Sequence, residues 1–179
     1  QVLVEKALEV RALRRKAGER DFFLRMAQMD GLTELFNRQT FLAFMEREFG
    51  RARRTGRAIS LILAGIDGFG RLCRNEGQLF ADNLVRRLGQ AFKSNCRDYD
   101  IVARFGNEEF ALLAPETPRQ GAQILVQRLN DAVTRLPACG PEQVSCSFGL
   151  AAFPEDGSAP DELLECAARA LRPALQPAS

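Results

Sequence analysis

The sequence contains no histidine, and this absence excludes several kinds of site. Without an imidazole the chain cannot form a serine–histidine or cysteine–histidine nucleophile pair, and the usual zinc sites lose a common ligand. The cysteines are scattered and form no Cys-x-x-Cys pair, which argues against a zinc cluster made of thiolates alone. Isolated thiols are typical of a reducing cytosol, so we expect a cytoplasmic protein. The cysteines are Cys73, Cys96, Cys139, Cys146 and Cys166.

Long apolar runs and a strong net charge are also missing. No stretch approaches the roughly 18 consecutive apolar residues that a membrane-spanning helix needs, and no secretory signal is visible at the N-terminus. The net charge of +2 is too small to indicate nucleic acid or a membrane as the partner. We therefore expect neither contact within this chain, which leaves open a membrane segment upstream of it in a larger signalling protein.

The sequence does contain enough apolar material for one domain. Of its 179 residues, 46% are hydrophobic and 27% are charged. This balance supports a buried core and excludes a disordered or fibrous chain. Two segments differ in pattern, so we expect a linker helix over residues 1–28 and the domain over residues 29–179.

The first segment has apolar residues at heptad-like spacing among many charges. This pattern predicts an amphipathic helix with a modest tendency to form a coiled coil, weakened by Lys6, Gly18 and Arg20 on the same seam. Two interpretations are open: the helix links two copies into a dimer, or it packs on its own domain. The apolar positions are Leu3, Val10, Leu13, Ala17, Leu24 and Ala27.

The second segment alternates between helix and strand patterns. The continuous apolar run Ala58–Ile66 predicts a buried strand. Two further runs, Ile101–Phe105 and Glu109–Ala114, flank Gly106-Asn107, whose tolerance of positive φ predicts a two-residue hairpin. Apolar periodicity predicts helices over about 41–49, 84–92, 118–135 and 161–171, and a strand over about 144–152.

This order of elements is the β-α-β-β-α-β order of ferredoxin-like sheets. It predicts an α+β fold in which the hairpin lies centrally and its turn projects from the sheet edge. The same layout hosts many unrelated functions, so the fold alone does not choose one.

Three motifs indicate a family. Residues 30–38 read D-G-L-T-E-L-F-N-R, residues 66–69 read I-D-G-F, and residues 104–110 read R-F-G-N-E-E-F. In this order and spacing, together with Ser147-Phe148-Gly149, they resemble GGDEF domains over about residues 26–171. The resemblance implies a nucleotidyl-cyclase palm with a five-stranded central sheet flanked by helices. In that family, two subunits join two GTP molecules into cyclic di-GMP.

Several positions that the resemblance makes functional have changed. The metal-binding Asp of the family's D-I-D motif is replaced by Gly65, the phosphate-binding Lys by Gly70, and the guanine-binding Asn by Cys73. The second guanine-binding residue survives as Asp82. A C-terminal phosphate-binding Lys is replaced by Leu175.

The hairpin itself is partly preserved. Gly106 is retained, Asn107 replaces the second Gly, and Glu108 and Glu109 keep the acidic pair, with Glu108 at the metal-ligand position. The lost contacts are each worth on the order of 1–3 kcal/mol when charged or buried, so we expect no useful turnover. We expect no required cofactor and no metal site, with Mg²⁺ only if residual GTP binding remains. Glu108 and Glu109 are then structural remnants or weak nucleotide contacts.

A second site implied by the resemblance is intact. Arg97-Asp98-Tyr99-Asp100 fits the R-x-x-D of the inhibitory site that binds cyclic di-GMP, and Arg128 falls where the family has a further arginine. Guanidinium groups suit phosphate and guanine acceptors, and a carboxylate accepts from guanine N–H groups. The alternative interpretation of Arg97 and Asp100 is a surface ion pair.

The sequence therefore predicts a catalytically silent domain that binds cyclic di-GMP through Arg97, Asp100 and Arg128. We expect a homodimer, held by the N-terminal helix or by the ligand, and an unidentified partner protein or sensor domain. Two alternatives stay open: a slow but active diguanylate cyclase, and a dimerisation or docking module that binds no nucleotide.

Overall fold

A computed structural model describes residues 2–137 and 143–175 of the chain. Cys139 and the last four residues of the predicted domain lie outside the described part. The helices and strands are, in chain order, α1 (Val2–Gln28), α2 (Arg38–Thr55), β1 (Ile59–Ile66), α3 (Phe69–Glu76), α4 (Gln78–Ser94), β2 (Ile101–Arg104), β3 (Glu109–Pro115), α5 (Arg119–Thr134), β4 (Cys146–Phe153) and α6 (Pro160–Leu175).

The strands form one antiparallel sheet in the order β2-β3-β1-β4, with helices on both faces. Every residue of β1 is buried, which explains its unbroken apolar run. One face of the sheet packs on α4 and α5 and the other on α2 and α6. The predicted ferredoxin-like order is therefore confirmed, and the hairpin between β2 and β3 reaches the end of the central strand.

The expected fifth strand is not found among the described residues. The sheet has four strands, and Phe36 adds only a single bridge beside Ala103 at the outer edge of β2. Pairing stops there because the next residue, Asn37, is the N-cap of α2 and accepts a hydrogen bond from the backbone N–H of Thr40.

The β2–β3 hairpin is longer than the predicted two-residue turn. The backbone N–H groups of Phe105 and Gly106 both donate to the carbonyl of Glu109, at 2.8 and 3.1 Å. Asn107 and Glu108 therefore sit beyond this shared acceptor. Positive φ values among the described residues occur at other positions, so neither Gly106 nor Asn107 uses the left-handed conformation that the prediction invoked.

Helix α3 was not predicted. It spans eight residues between Gly68 and Gly77, both at positive φ (64° and 85°), and only Leu72 in it is buried. A helix with one buried residue leaves no periodic apolar signal, whereas its two flanking glycines are the visible boundary marks.

The described side chains of helix α1 do not pack on the domain. Its described side chains from residue 11 onward are all exposed, including Leu13 at 61% and Phe23 at 69%. The interpretation in which this helix covers its own domain is therefore wrong. The side chains of Leu3 and Val10, which the heptad pattern includes, lie outside the described part. Among the described residues, no helix combines the length and apolar composition that crossing a bilayer requires.

Candidate functional sites

The hairpin places its acidic pair beside the end of β1. Gly65 is paired with Glu109 across one edge of β1 and with Ser147 across the other. The backbone N–H of Ile66 donates to the carbonyl of Glu108 at 3.0 Å. The structure thus brings Gly65 and Glu108 together, and the missing side chain of Gly65 leaves this corner with fewer carboxylates than the family pattern has.

Arg104 braces this corner from the other side. Its guanidinium lies 3.3 Å from the Asp30 carboxylate and donates to the carbonyl of Asn107 at 3.0 Å. Asp30 also accepts hydrogen bonds from the backbone N–H groups of Leu32 and Thr33. Burial alone would raise the pKa of Asp30, but a hydrogen bond from the Thr33 hydroxyl, these two backbone hydrogen bonds and the charge of Arg104 outweigh it and lower the pKa. Sequence reasoning missed this brace, which joins the first motif to the hairpin.

Asp67 does not replace the missing ligand. Its two carboxylate oxygens accept hydrogen bonds of 2.6 Å from the hydroxyls of Ser145 and Ser147. Its backbone N–H donates to the carbonyl of Ser145 at 3.0 Å. This carboxylate is therefore committed to tying β1 to β4. In the sequence, the Ser-x-Ser pattern at residues 145–147 was the signal that could have indicated this contact.

The hairpin corner offers few protein ligands to a magnesium ion. Among the described residues, no three or more acidic or cysteine side chains gather in a way that could hold a metal. Glu108 is exposed, and residual burial together with the charge of Glu109 raises its pKa. Magnesium is usually held by one or two carboxylates together with the phosphates of the substrate, and the position beside Glu108 that would supply the second carboxylate is Gly65.

The predicted base and phosphate positions lie on α3 and α4. Gly70 is in the first turn of α3, and a Cβ there would meet Arg74 at an ordinary contact distance of 3.6 Å. Cys73 is half-buried on the same helix. Asp82 on α4 accepts a hydrogen bond of 2.7 Å from the side-chain amide of Gln78. The position to which the resemblance assigns guanine binding is therefore already engaged within its own helix.

A separate cleft brings together the three residues of the second predicted site. Arg97, Asp100 and Arg128 line it, with Thr117 and Ile124 completing its wall. Arg97 and Asp100 come from the turn before β2, whereas Arg128 comes from α5, so the fold closes a gap of about thirty residues in sequence. Sequence reasoning did not find Thr117 or Ile124, since neither carries a family motif.

Asp100 is not half of a surface ion pair. It is only 4% exposed, and its Oδ2 accepts the backbone N–H of Arg97 at 2.8 Å. Its other oxygen is buried without a hydrogen-bond partner among the described residues. The guanidinium of Arg97 instead donates to the Tyr99 hydroxyl at 2.8 Å. The ion-pair interpretation is therefore wrong, and a buried carboxylate anchors the turn that carries Arg97.

A thiol lies close to these charges. Burial raises the pKa of Cys96 to about 12, with the charge of Asp100 acting in the same direction and that of Arg128 against it. A thiol with so high a pKa stays protonated and unreactive at neutral pH. Cys96 therefore packs against the hydrophobic core beside the cleft and takes no part in its chemistry.

Comparison with known proteins identifies the family. The sequence profile described as "Diguanylate cyclase, GGDEF domain" matches residues 27–178. The diguanylate cyclase DgcP of Pseudomonas aeruginosa is 33% identical over 148 residues, which are 81% of this chain and 22% of DgcP. The cyclic di-GMP phosphodiesterase NbdA of the same species is 32% identical over 148 residues, 82% of this chain and 19% of NbdA.

Solved structures agree with this fold. The diguanylate cyclase SiaD of Pseudomonas aeruginosa, solved in complex with its activator SiaC, has a TM-score of 0.76 and 29% identity over 96% of this chain and 67% of SiaD. The coiled coil and GGDEF domain of DgcB from Caulobacter crescentus has a TM-score of 0.82 over 96% of this chain and 91% of the other. At 23% identity, that second likeness shows the fold alone.

The chain spans only about a fifth of the length of DgcP and NbdA. The matched region nevertheless covers the three motifs, the hairpin and the cleft. This chain therefore belongs to the GGDEF domain family, the family of the diguanylate cyclases.

Proposed function

We propose that this GGDEF domain is catalytically silent and works as a sensor of cyclic di-GMP. The single observation that carries the proposal is the cleft in which Arg97, Asp100 and Arg128 meet. In this reading the domain binds the second messenger and passes the signal to a partner protein or a neighbouring domain.

The chemistry of the cleft suits a cyclic dinucleotide. Such a ligand carries two phosphate charges and two guanine edges, and arginine forks match both phosphate oxygens and guanine acceptors. A buried carboxylate that already accepts one N–H is a natural acceptor for guanine N–H groups. Asp100 has an oxygen without a protein partner among the described residues, which supports this role.

The residues at the hairpin corner, where Gly65 lies beside Glu108, support the loss of catalysis. Phosphoryl transfer relies on metal ions and cations that neutralise charge on the phosphate oxygens. Gly65 and Gly70 supply neither, Asp67 is engaged by serine hydroxyls, and Asp82 by Gln78. No residue in the described part replaces the lost carboxylate beside Glu108.

The exposed α1 supplies the route to dimerisation. Its seam residues Leu13 (61% exposed) and Leu24 (48% exposed) are uncovered in a single chain, and burying apolar seam positions against a second helix is what drives coiled coils. SiaD was solved with an activator protein, and the DgcB domain was solved with a coiled coil and with cyclic di-GMP. A protein partner, a coiled coil and the nucleotide are therefore each compatible with this fold.

Isothermal titration of the chain with cyclic di-GMP tests the proposal. We expect saturable binding, and we expect Arg97→Ala or Arg128→Ala to weaken it by about 1.5–3 kcal/mol, the usual worth of a hydrogen bond to a charged group. Arg86→Ala removes an exposed arginine from α4 and is the matched control, with unchanged affinity. Unchanged affinity in both cleft variants would remove this site from consideration.

A further inference from the structure

Helix α1 carries apolar side chains on two opposite sides. At about 100° per residue, Leu13 and Leu24 fall on one side, which we call the seam, and Phe22 and Met26 fall on the other. Phe22 is 59% exposed and Met26 65% exposed. Arg11 and Arg15 lie above them along the helix and are also exposed. These four residues, Arg11, Arg15, Phe22 and Met26, form the outer face.

A dimer through the seam leaves the outer face uncovered. When Leu24 occupies the first heptad position, Phe22 and Met26 occupy positions that point away from the partner helix. Those positions are ordinarily polar because they stay in water. Large apolar side chains there indicate a second contact, since contiguous exposed apolar groups mark interaction surfaces.

The charge around the outer face selects the kind of partner. Residues 11–25 contain six Lys and Arg against two acidic residues, and Arg11, Arg14 and Arg15 fall on or beside the outer face, whereas Arg20 falls on the seam. One of the acidic residues, Glu19, is 3.6 Å from Arg15, and both side chains remain largely exposed. A basic helix with an apolar stripe pairs best with an acidic amphipathic surface, by apolar contact along i, i+4 and charge attraction on the flanks.

We propose that the outer face of α1 is a docking surface for an acidic, amphipathic helix of a partner protein. Phe22 and Met26 pack into the apolar stripe of that helix, and Arg11 and Arg15 pair with its flanking carboxylates. The inference rests on the seam dimer of the proposed function and adds a second, separate contact to the same helix.

A designed peptide provides the probe. A fluorescein-labelled helix with leucines at i, i+4 and i+7 flanked by glutamates is titrated with the full chain, and binding is read by fluorescence anisotropy. The control peptide carries glutamine in place of each glutamate. We expect the acidic peptide to bind at least about tenfold more tightly than the control, with the difference shrinking as salt is raised.

Two double variants separate the faces of α1. Phe22→Ser with Met26→Ser should weaken peptide binding at least about tenfold, because two buried apolar contacts are lost. Leu13→Ser with Leu24→Ser should instead dissociate the dimer and leave peptide binding within about twofold. Circular dichroism checks that both variants keep the helix content of the parent.

Three outcomes would overturn the proposal. The first is equal binding of both peptides, or equal binding by the outer-face variant and the parent. The second is co-sedimentation with phosphatidylglycerol vesicles without peptide binding, which would assign the face to a lipid surface. The third is a tetramer that becomes a dimer in the outer-face variant, which would assign it to further copies of this chain. Loss of the dimer in the seam variant is a separate result, which tests the seam dimer of the proposed function and not the outer face.

Discussion

At the residue scale, the pairing of Asp30 with Arg104 is the contact most open to a direct test. Asp30→Asn removes the charge that faces Arg104 while keeping an oxygen for the backbone N–H groups of Leu32 and Thr33. We expect the free energy of unfolding at pH 7 to fall by about 1–2 kcal/mol. Urea unfolding of both proteins measures it, with the exposed Asp98→Asn as control, expected within about 0.5 kcal/mol of the parent.

The pH dependence of that loss has a definite sign. The pKa of Asp30 is lowered from its usual 3.8, so its ionised form stabilises the fold above that value. The stabilisation is lost as the pH falls through the lowered pKa. The difference between parent and Asp30→Asn should therefore shrink well below pH 3.8. If the two proteins differ equally in the free energy of unfolding at low and at neutral pH, the charge of Asp30 is not what stabilises the fold.

Glu108 should behave in the opposite way. Burial and the neighbouring Glu109 raise its pKa, so the folded state binds this proton more tightly than the unfolded state. Ionised Glu108 then costs stability above the raised pKa and costs none at low pH. Glu108→Gln should unfold at a slightly higher temperature than the parent at pH 7 and at the same temperature near pH 3. A lower melting temperature at pH 7 would contradict this sign.

At the scale of elements, α1 is the clearest separable unit. Deleting residues 1–20 should abolish dimers that form without ligand, because most of the seam is removed, and should leave cyclic di-GMP binding at Arg97 and Asp100 unchanged. Multi-angle light scattering and calorimetry on the same samples give the two readings. If the undeleted chain is strictly monomeric at high concentration, the proposed dimer contact along the seam is wrong.

Elements with a buried face were the ones that the sequence could predict. The unbroken run of β1, the four-residue spacing of Phe41, Met45 and Phe49, and the alternation in β4 all reflect contact with one core. Helix α3 buries a single residue, and the hairpin is shaped by two N–H groups that share one carbonyl. Neither α3 nor the geometry of the turn leaves a periodic apolar pattern, so the sequence predicted the hairpin but not the length of its turn, and did not predict α3.

In the two candidate sites, too, some features could be predicted from the sequence and others could not. The spacing of Arg97, Asp100 and Arg128 was readable because the resemblance supplied it, and the fold brings the three to one cleft. The burial of Asp100 and the engagement of Asp67 by Ser145 and Ser147 depend on contacts across distant strands. Single-sequence reasoning has no access to such contacts.

At the scale of the whole molecule, the proposed silence of the active site predicts that the site should be partly repairable. Gly65→Asp with Gly70→Lys returns one carboxylate and one cation to a scaffold that keeps Asp82, Glu108 and Glu109. We expect magnesium-dependent GTP binding to rise at least about tenfold, the worth of one charged contact. We expect little turnover, because Cys73 and Leu175 remain. Calorimetry with GTP and Mg²⁺ measures the gain.

A charge-matched variant controls for that repair. Gly50→Lys adds the same cation to α2, where a Cβ would meet an arginine at 3.7 Å, close to the 3.6 Å at Gly70. It should leave GTP binding unchanged. If the repaired protein binds GTP no better than this control, the site has changed beyond the named positions.

One measurement tests the central claim, that the domain binds cyclic di-GMP and does not make it. The chain is dialysed to equilibrium against equal concentrations of cyclic di-GMP and GTP with Mg²⁺, and nucleotides on both sides of the membrane are quantified by chromatography. We expect cyclic di-GMP to be enriched on the protein side, with the total amounts of GTP and of cyclic di-GMP unchanged. Consumption of GTP with new cyclic di-GMP, or no enrichment of cyclic di-GMP with the protein, would contradict it.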